Sequence, residues 1–228
     1  MFGSECFRYY RSLTDTGIYD EIFECLASVN QKASVPRIGV ERAAKIFREV
    51  LLDNPGIFYV DGISYSVRGD SIDLIPKYSF DKKEIAGISL SLKKRAERIA
   101  ARLKGGTDPV SAVHDFLVSS VEYRFEKRRY SHEIYGVLHH GIGVCEGISK
   151  TAKLLLDMMG TESAVIVSEP MGNVSHAWNV VWTGGRPLHY DITFDLSHRA
   201  DRRRYFGLTD AGIYLDHGKP LYPAPECN

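Results

Sequence analysis

Apolar residues recur at helical spacing over residues 17–31, where Ile18, Ile22, Cys25, Leu26 and Val29 share one face. Residues 39–52 repeat the pattern with Val40, Ala44, Phe47 and Leu51, until Asp53-Asn54-Pro55-Gly56 stops it. The period then changes. Residues 57–79 are rich in aromatic and β-branched side chains, broken at Asp61-Gly62 and at Arg68-Gly69-Asp70, which predicts two or three short strands with hairpin turns. Asp81 followed by Glu84 is a capping box. It opens a long helix carrying Ile85, Ile88, Leu92, Ala96, Ile99 and Leu103, closed by Gly105-Gly106. Asp108-Pro109 starts the next, with Pro at the first helical position and a stripe of Val110, Val113, Leu117 and Val121.

The second half has a different rhythm. A helix is expected over 145–159, and strands over 163–168, 176–182 and 187–193. The tail PLYPAPECN, with its prolines, reads as extended, and there is no internal repeat. The class is α+β: residues 1–105 form a helical lead-in with a small β insert, and residues 106–228 carry the chemistry.

Composition narrows the function without naming it. The 228 residues balance 29 Lys+Arg against 29 Asp+Glu, with 44% hydrophobic and 25% charged residues. That excludes a disordered chain, a collagen-type repeat and a strongly basic nucleic-acid binder. Four cysteines with no CxxC or Cys/His finger spacing make neither a disulfide scaffold nor a structural zinc site. No cofactor and no metal are expected. The N-terminus lacks an apolar core and no apolar run reaches a membrane span, so neither a signal peptide nor a membrane partner is expected. The expected location is cytoplasmic, although removal of an export signal would leave the same start.

Three segments carry chemistry: GIGVCEGISKTAKLLLDMMG, SHAWNVVW and LHYDITFD. Gly141 and Gly143 lead flexibly into Cys145, which begins a helical stripe continued by Ile148, Ala152, Leu155 and Met159. A thiol at a helix N-terminus meets unpaired N–H groups that favour a thiolate and can hold an oxyanion. A packed, inert cysteine is the bland alternative. His176 opens a strand in which it shares a face with Trp178 and Val180, while Asn179 faces the other way. A two-residue Gly184-Gly185 turn pairs 183 with 186 and sets His176 opposite Thr193, with Asp191 its diagonal neighbour on the same face. Nucleophile, base and orienter are thus Cys145, His176 and Asp191. Asn179 is the rival orienter.

The runs GVCEG, HAWN and YDITFD, in this order, resemble the transglutaminase-like superfamily. The resemblance covers roughly 110–217, including the flanks HDFLVSSVEY and RRYFGLTDAGIYLDH, and is of the bacterial type. It implies a papain-like α+β core and the triad Cys145, His176 and Asp191. Phe194 stands where family members often have Trp, and Ile148-Ser149 replaces a common aromatic-Ala pair. The Gly-Gln-Cys-Trp run of animal cross-linking enzymes is replaced by Val144 and Glu146 around the cysteine.

Tyr135 is a candidate hydroxyl donor to the oxyanion, and Trp178 a candidate shield for the ion pair or substrate contact; both also read as core. His114 reads as a structural histidine. His139-His140 reads as a loop lining the approach, since adjacent residues point apart and lack spaced metal partners. Two basic-aromatic stretches, Tyr123–Tyr130 and Arg199 with Arg202 to Arg204, read as solvated faces rather than nucleic-acid contacts, and Cys227 as exposed. The expected activity is thiol-dependent acyl transfer on the amides of a peptide or protein, resolved by water. The alternatives are transamidation of protein glutamine, for which Glu146 beside the thiol could attract an amine, and a non-catalytic peptide-binding module.

Overall fold

The computed structural model describes residues 6–106, 108–170, 174–198 and 200–228, with backbone alone at 128 and 129. Asp15 caps helix α1 (Thr16–Ala27) by accepting from the N–H groups of Gly17 and Ile18. A short strand β1 (Ala33–Pro36), missed in the sequence because it is only four residues long, precedes α2 (Val40–Asp53). Strands β2 (Val60–Arg68) and β3 (Ser71–Tyr78) complete an antiparallel sheet of order β1-β3-β2. Gly69, at φ +53°, makes the hairpin turn. The expected break at Asp61-Gly62 is instead a bulge inside β2, where the register shifts between Val60 and Gly62. The capping box at Asp81 opens α3 (Lys82–Leu103), and Asp108-Pro109 opens α4 (Pro109–Ser120).

The chain then passes through β4 (Glu122–Tyr123), the single turn α5 (Arg128–Ser131), one π-helical turn at Gly136–His140 and β5 (Ile142–Gly143), which pairs in parallel with β4. Helix α6 (Cys145–Met158) follows. Its expected one-sided stripe is an understatement, because nearly every residue from Glu146 to Leu156 is buried. Polar members therefore need internal partners. Lys153, with no exposed surface, donates to the carbonyls of Phe7 (2.6 Å) and Ser163 (2.9 Å) and pairs with Asp157 (3.0 Å).

A four-stranded antiparallel sheet, β6-β7-β8-β9, comprises β6 (Ser163–Val167), β7 (Ala177–Thr183), β8 (Arg186–Tyr190) and β9 (Phe206–Leu208). Gly184 and Gly185 both take positive φ (+58° and +80°), as a tight two-residue hairpin demands. Thr183 pairs with Arg186 as the turn implies, but the ladder ends at Asn179↔Tyr190. The expected strand over 187–193 stops there, because Asp191 accepts from the N–H groups of Thr193 and Phe194 and caps a helix, α7 (Ile192–Ser197). A last turn, α8 (Asp210–Ile213), precedes the tail.

The sheet separates two layers. Asn179 and Val181 face α6 and the main core, which gathers residues from Ile18 to Ile192. Ala164, Ile166, Trp178 and Val180 face Tyr205, Ile213 and Cys227. Cys227 is therefore fully buried rather than exposed, because the tail folds back: its N–H donates to Asp210 and its carbonyl accepts from the Asp210 N–H. Among the described residues, no helix is long and apolar enough to cross a membrane.

Candidate active site

Cys145 is the first residue of α6 and is half-buried. The glycines before it serve fit more than flexibility. Gly141 closes the π turn at φ +68°, whereas a Cβ at Gly143 would lie 2.7 Å from Val137 Cγ2. Within the first turn of the helix, a Cβ at Gly147 would lie 2.4 Å from the Ser131 carbonyl oxygen. The Val144 N–H donates to that same carbonyl (2.9 Å). The start of α6 is thus wedged against the 131–133 backbone. Its other side is pinned to β7: Asn179 Nδ2 donates to the Ser149 carbonyl (3.0 Å) and Ser149 Oγ to the Ala177 carbonyl (3.1 Å). Asn179 therefore orients the helix and not His176.

His176 stands one residue before β7, its N–H bound to Ser168 Oγ (3.0 Å). Its Nε2 lies 2.5 Å from Asp191 Oδ2, and the imidazole is close enough to Cys145 for the two groups to act on each other's protonation. With Nε2 given to Asp191, Nδ1 is left for the thiol. Burial alone would lower the His176 pKa, but the Asp191 hydrogen bond and the charges of Asp191 and Cys145 raise it to about 10. Burial would likewise raise Asp191; the bonds from His176, His217 and the Phe194 N–H outweigh it and hold the carboxyl below its usual range. The expected neighbourhood of His176 and Asp191 exists, reached from a helix cap and not across a strand pair; Thr193 sits in α7 and is not opposite His176.

The remaining candidates are placed as follows. Trp178 is fully buried beneath the site, its ring stacked on His176 (centroids 6.1 Å) and its indole N–H given to His189 Nδ1 (2.9 Å). It offers neither surface nor donor to a substrate. Tyr135 packs among Phe58, Phe80 and His139. The hydroxyl that the fold brings near Cys145 is that of Tyr123, whose pKa is raised by burial and then by the Cys145 charge. Its approach follows from the parallel β4–β5 pairing, which sets Tyr123 beside Gly143 and which no sequence periodicity announces. His114 is buried and bonded to Asp195 (3.0 Å), the last residue of the DITFD run, which also accepts from the Tyr205 N–H (2.9 Å). His217, absent from the expected set, is 2.8 Å from Asp191 Oδ2.

Glu146 does not face an incoming amine. It is buried, paired with Arg48 and Lys150 at 2.8 Å each. In the basic-aromatic stretches, Arg124 pairs with Glu126 (3.0 Å), and Arg203 pairs with Asp115 (2.8 Å) and lies over Phe206. Arg199 and the side chains of Arg128 and Arg129 lie outside the described residues. Three cysteines are held protonated: burial raises Cys6, Cys25 and Cys227, the last to about 12. A cleft of about 980 Å³ between α1, α3 and α6, lined by Phe23, Ile85 and Leu154, includes none of Cys145, His176 and Asp191.

Two groups of ligand-type atoms lie within 4.8 Å of one another: His176, Asp191 and His217, and His189, Asp210 and Cys227. Hydrogen bonding accounts for both. In the second, Trp178 donates to His189 Nδ1, so Nε2 carries the proton offered to Asp210 (2.8 Å).

Residues 93–192 match the sequence model of the transglutaminase-like superfamily. No curated protein sequence matches the chain. Among solved structures the chain is similar to a TGase at 15% identity, covering 59% of this chain and 44% of that one, with a TM-score of 0.37. It is also similar to a candidate cysteine protease from Cytophaga hutchinsonii (12% identity, 58% and 61% covered, TM-score 0.39). A third is the periplasmic domain of TgpA from Pseudomonas aeruginosa (16% identity, 55% of each chain, TM-score 0.35). The chain spans less than two thirds of the length of each of these three.

Proposed function

We propose that the protein is a thiol-dependent acyl-transfer enzyme acting on amides of a peptide or protein, and that water resolves its acyl-enzyme. The observation that carries this reading is an imidazole bonded to a buried carboxylate and coupled electrostatically to a helix-N-terminal thiol. In the mechanism, His176 takes the Cys145 proton and the thiolate attacks the amide carbonyl. The Cys145 N–H, at the start of α6, is the oxyanion donor. The tetrahedral intermediate collapses as His176 returns the proton to the leaving amine, leaving a thioester. Water, deprotonated by His176, then cleaves the thioester and regenerates the thiol. Asp191 fixes the tautomer and balances the imidazolium.

Hydrolysis is favoured over transamidation because transamidation needs a device that excludes water and guides an amine. The residue best suited to attract an amine, Glu146, is spent on Arg48 and Lys150. The test supplies a glutamine-containing peptide library with a labelled primary amine and follows products by mass spectrometry. New N-termini or deamidated glutamine, lost in Cys145→Ser, are expected. Amine incorporation well above cleavage and deamidation overturns the choice of water.

A further inference from the structure

We propose that His217 is a second, positively charged histidine of this site, a positioning residue that shares the Asp191 carboxylate with His176 and limits how tightly His176 holds its proton. This deepens the reading of Cys145 as nucleophile and rests on it.

The hydrogen-bond geometry sets the charge. Asp191 Oδ2 lies 2.5 Å from His176 Nε2 and 2.8 Å from His217 Nε2. Its Oδ1 accepts from the N–H groups of Thr193 (2.9 Å) and Phe194 (3.0 Å). The four acceptor positions of the carboxylate are all used. The other His217 nitrogen, Nδ1, lies 2.7 Å from Asp216 Oδ1. Each ring nitrogen thus faces a carboxylate oxygen, and a nitrogen without a proton there would set lone pair against lone pair. With both acids ionised, both nitrogens carry protons and the ring is an imidazolium. Asp191 and Asp216 are each held below the usual carboxylate range despite burial, which agrees with that state.

The ring is enclosed. The His217 side chain has no exposed surface. Phe194, Trp178 and Tyr205 pack around it at centroid distances of 4.5, 5.2 and 5.5 Å, so water does not reach the ring. The other titratable groups around it are accounted for. Tyr205 donates its hydroxyl to Asp216 Oδ2 (2.6 Å), and Arg204 acts on Asp216 from beyond. His189, on Trp178, is lowered by burial and, after that, by the His217 charge. His176 lies 5.3 Å away, and His198 packs against Tyr205.

The consequence is chemical. A general acid must release its proton to the leaving amine within each turnover. A carboxylate given wholly to His176 would bind that proton too firmly. A second cation on the same oxygen weakens the hold while keeping the imidazole oriented.

Two measurements on the full chain test this. In protein labelled with ¹⁵N-histidine, with the resonance assigned through His217→Gln, both His217 ring nitrogens are expected to be protonated at pH 7. A neutral tautomer overturns the proposal. Second, the rate of Cys145 alkylation by iodoacetamide is followed against pH in the wild type and in His217→Gln, which keeps an N–H for Asp191 without the charge. The upper inflection, where His176 loses its proton, is expected to rise by about one pH unit. A purely structural His217 changes the amplitude and leaves the inflection in place, which also overturns the proposal. If the variant does not fold by circular dichroism, the nitrogen signals of the native protein decide. A wild-type profile with no activated Cys145 thiol is a failure of the parent reading, separate from the His217 charge state.

Discussion

Asp191 receives four hydrogen bonds on two oxygens, so a single-atom change there is informative. Asp191→Asn can still cap α7 through its carbonyl, but its amide then points N–H groups at two histidines that also donate. The helix cap survives while His176 loses its orienter. Reactivity of Cys145, followed as alkylation at pH 7 or as turnover, should fall about 10²–10⁴-fold with the circular dichroism spectrum unchanged. Full reactivity in a folded Asp191→Asn variant removes Asp191 from the mechanism. His176 itself gives a pH signature of stability. Its folded pKa of about 10 lies above the unfolded value, so its protonation stabilises the fold in full below about pH 6.5 and is lost as the pH rises through 10. Denaturant unfolding of the wild type should therefore weaken between those values, and His176→Gln should lack that part of the slope.

At the scale of elements, the start of α6 depends on glycine for space. In an open helix Gly147→Ala would stabilise by about 1 kcal/mol. Here the new Cβ would lie 2.4 Å from the Ser131 carbonyl, a backbone atom that cannot swing aside. The expected net effect is a destabilisation of about 1–3 kcal/mol, read as a lower urea midpoint; a stabilised variant would show that the 131–133 segment yields. The same element marks what the sequence could reveal. Cys145 at a helix start, His176 at the start of a strand-like run (one residue ahead of the observed β7) and Asp191 nearby were legible, because helix periodicity, alternation and the Gly184-Gly185 turn are local signals. The route to Asp191 was misread: strand parity brought it to the right side of the sheet, and its own side chain then ended the strand by capping α7. Tyr123 and His217 were not legible. One arrives through a parallel pairing of two-residue strands, the other through the irregular segment after α8, which sets His217 against Asp191, and neither leaves a periodicity. The all-round burial of α6 was hidden for a related reason, since Lys150 and Lys153 look like solvent positions until their partners are known.

Across the whole molecule, the N-terminal helices and the site share an internal charge cluster. Arg48 on α2 pairs with Glu146, and Lys150 pairs with Glu146 and Glu133, each at 2.8 Å. Burial raises Glu133 to about 7, in opposition to Lys150, and the flanking cations hold Glu146 low despite its burial. Lys150→Met should cost about 3–5 kcal/mol at pH 8, where the buried Glu133 loses its cation and must either stay charged unpaired or take up a proton from solution. At pH 5.5 Glu133 can take up a proton, so the cost should be smaller; equal costs at both pH values in chemical denaturation would contradict the cluster's role. The central claim concerns Cys145, the half-buried thiol beside His176. The most direct measurement is intact-mass and peptide mapping after brief exposure to an activated acyl ester at neutral pH. The account predicts one acyl group per chain, as a thioester on Cys145, absent in Cys145→Ser and strongly reduced in His176→Gln. An adduct on Cys6, Cys25 or Cys227 with Cys145 unmodified, or formation on Cys145 undiminished by His176→Gln, would contradict it.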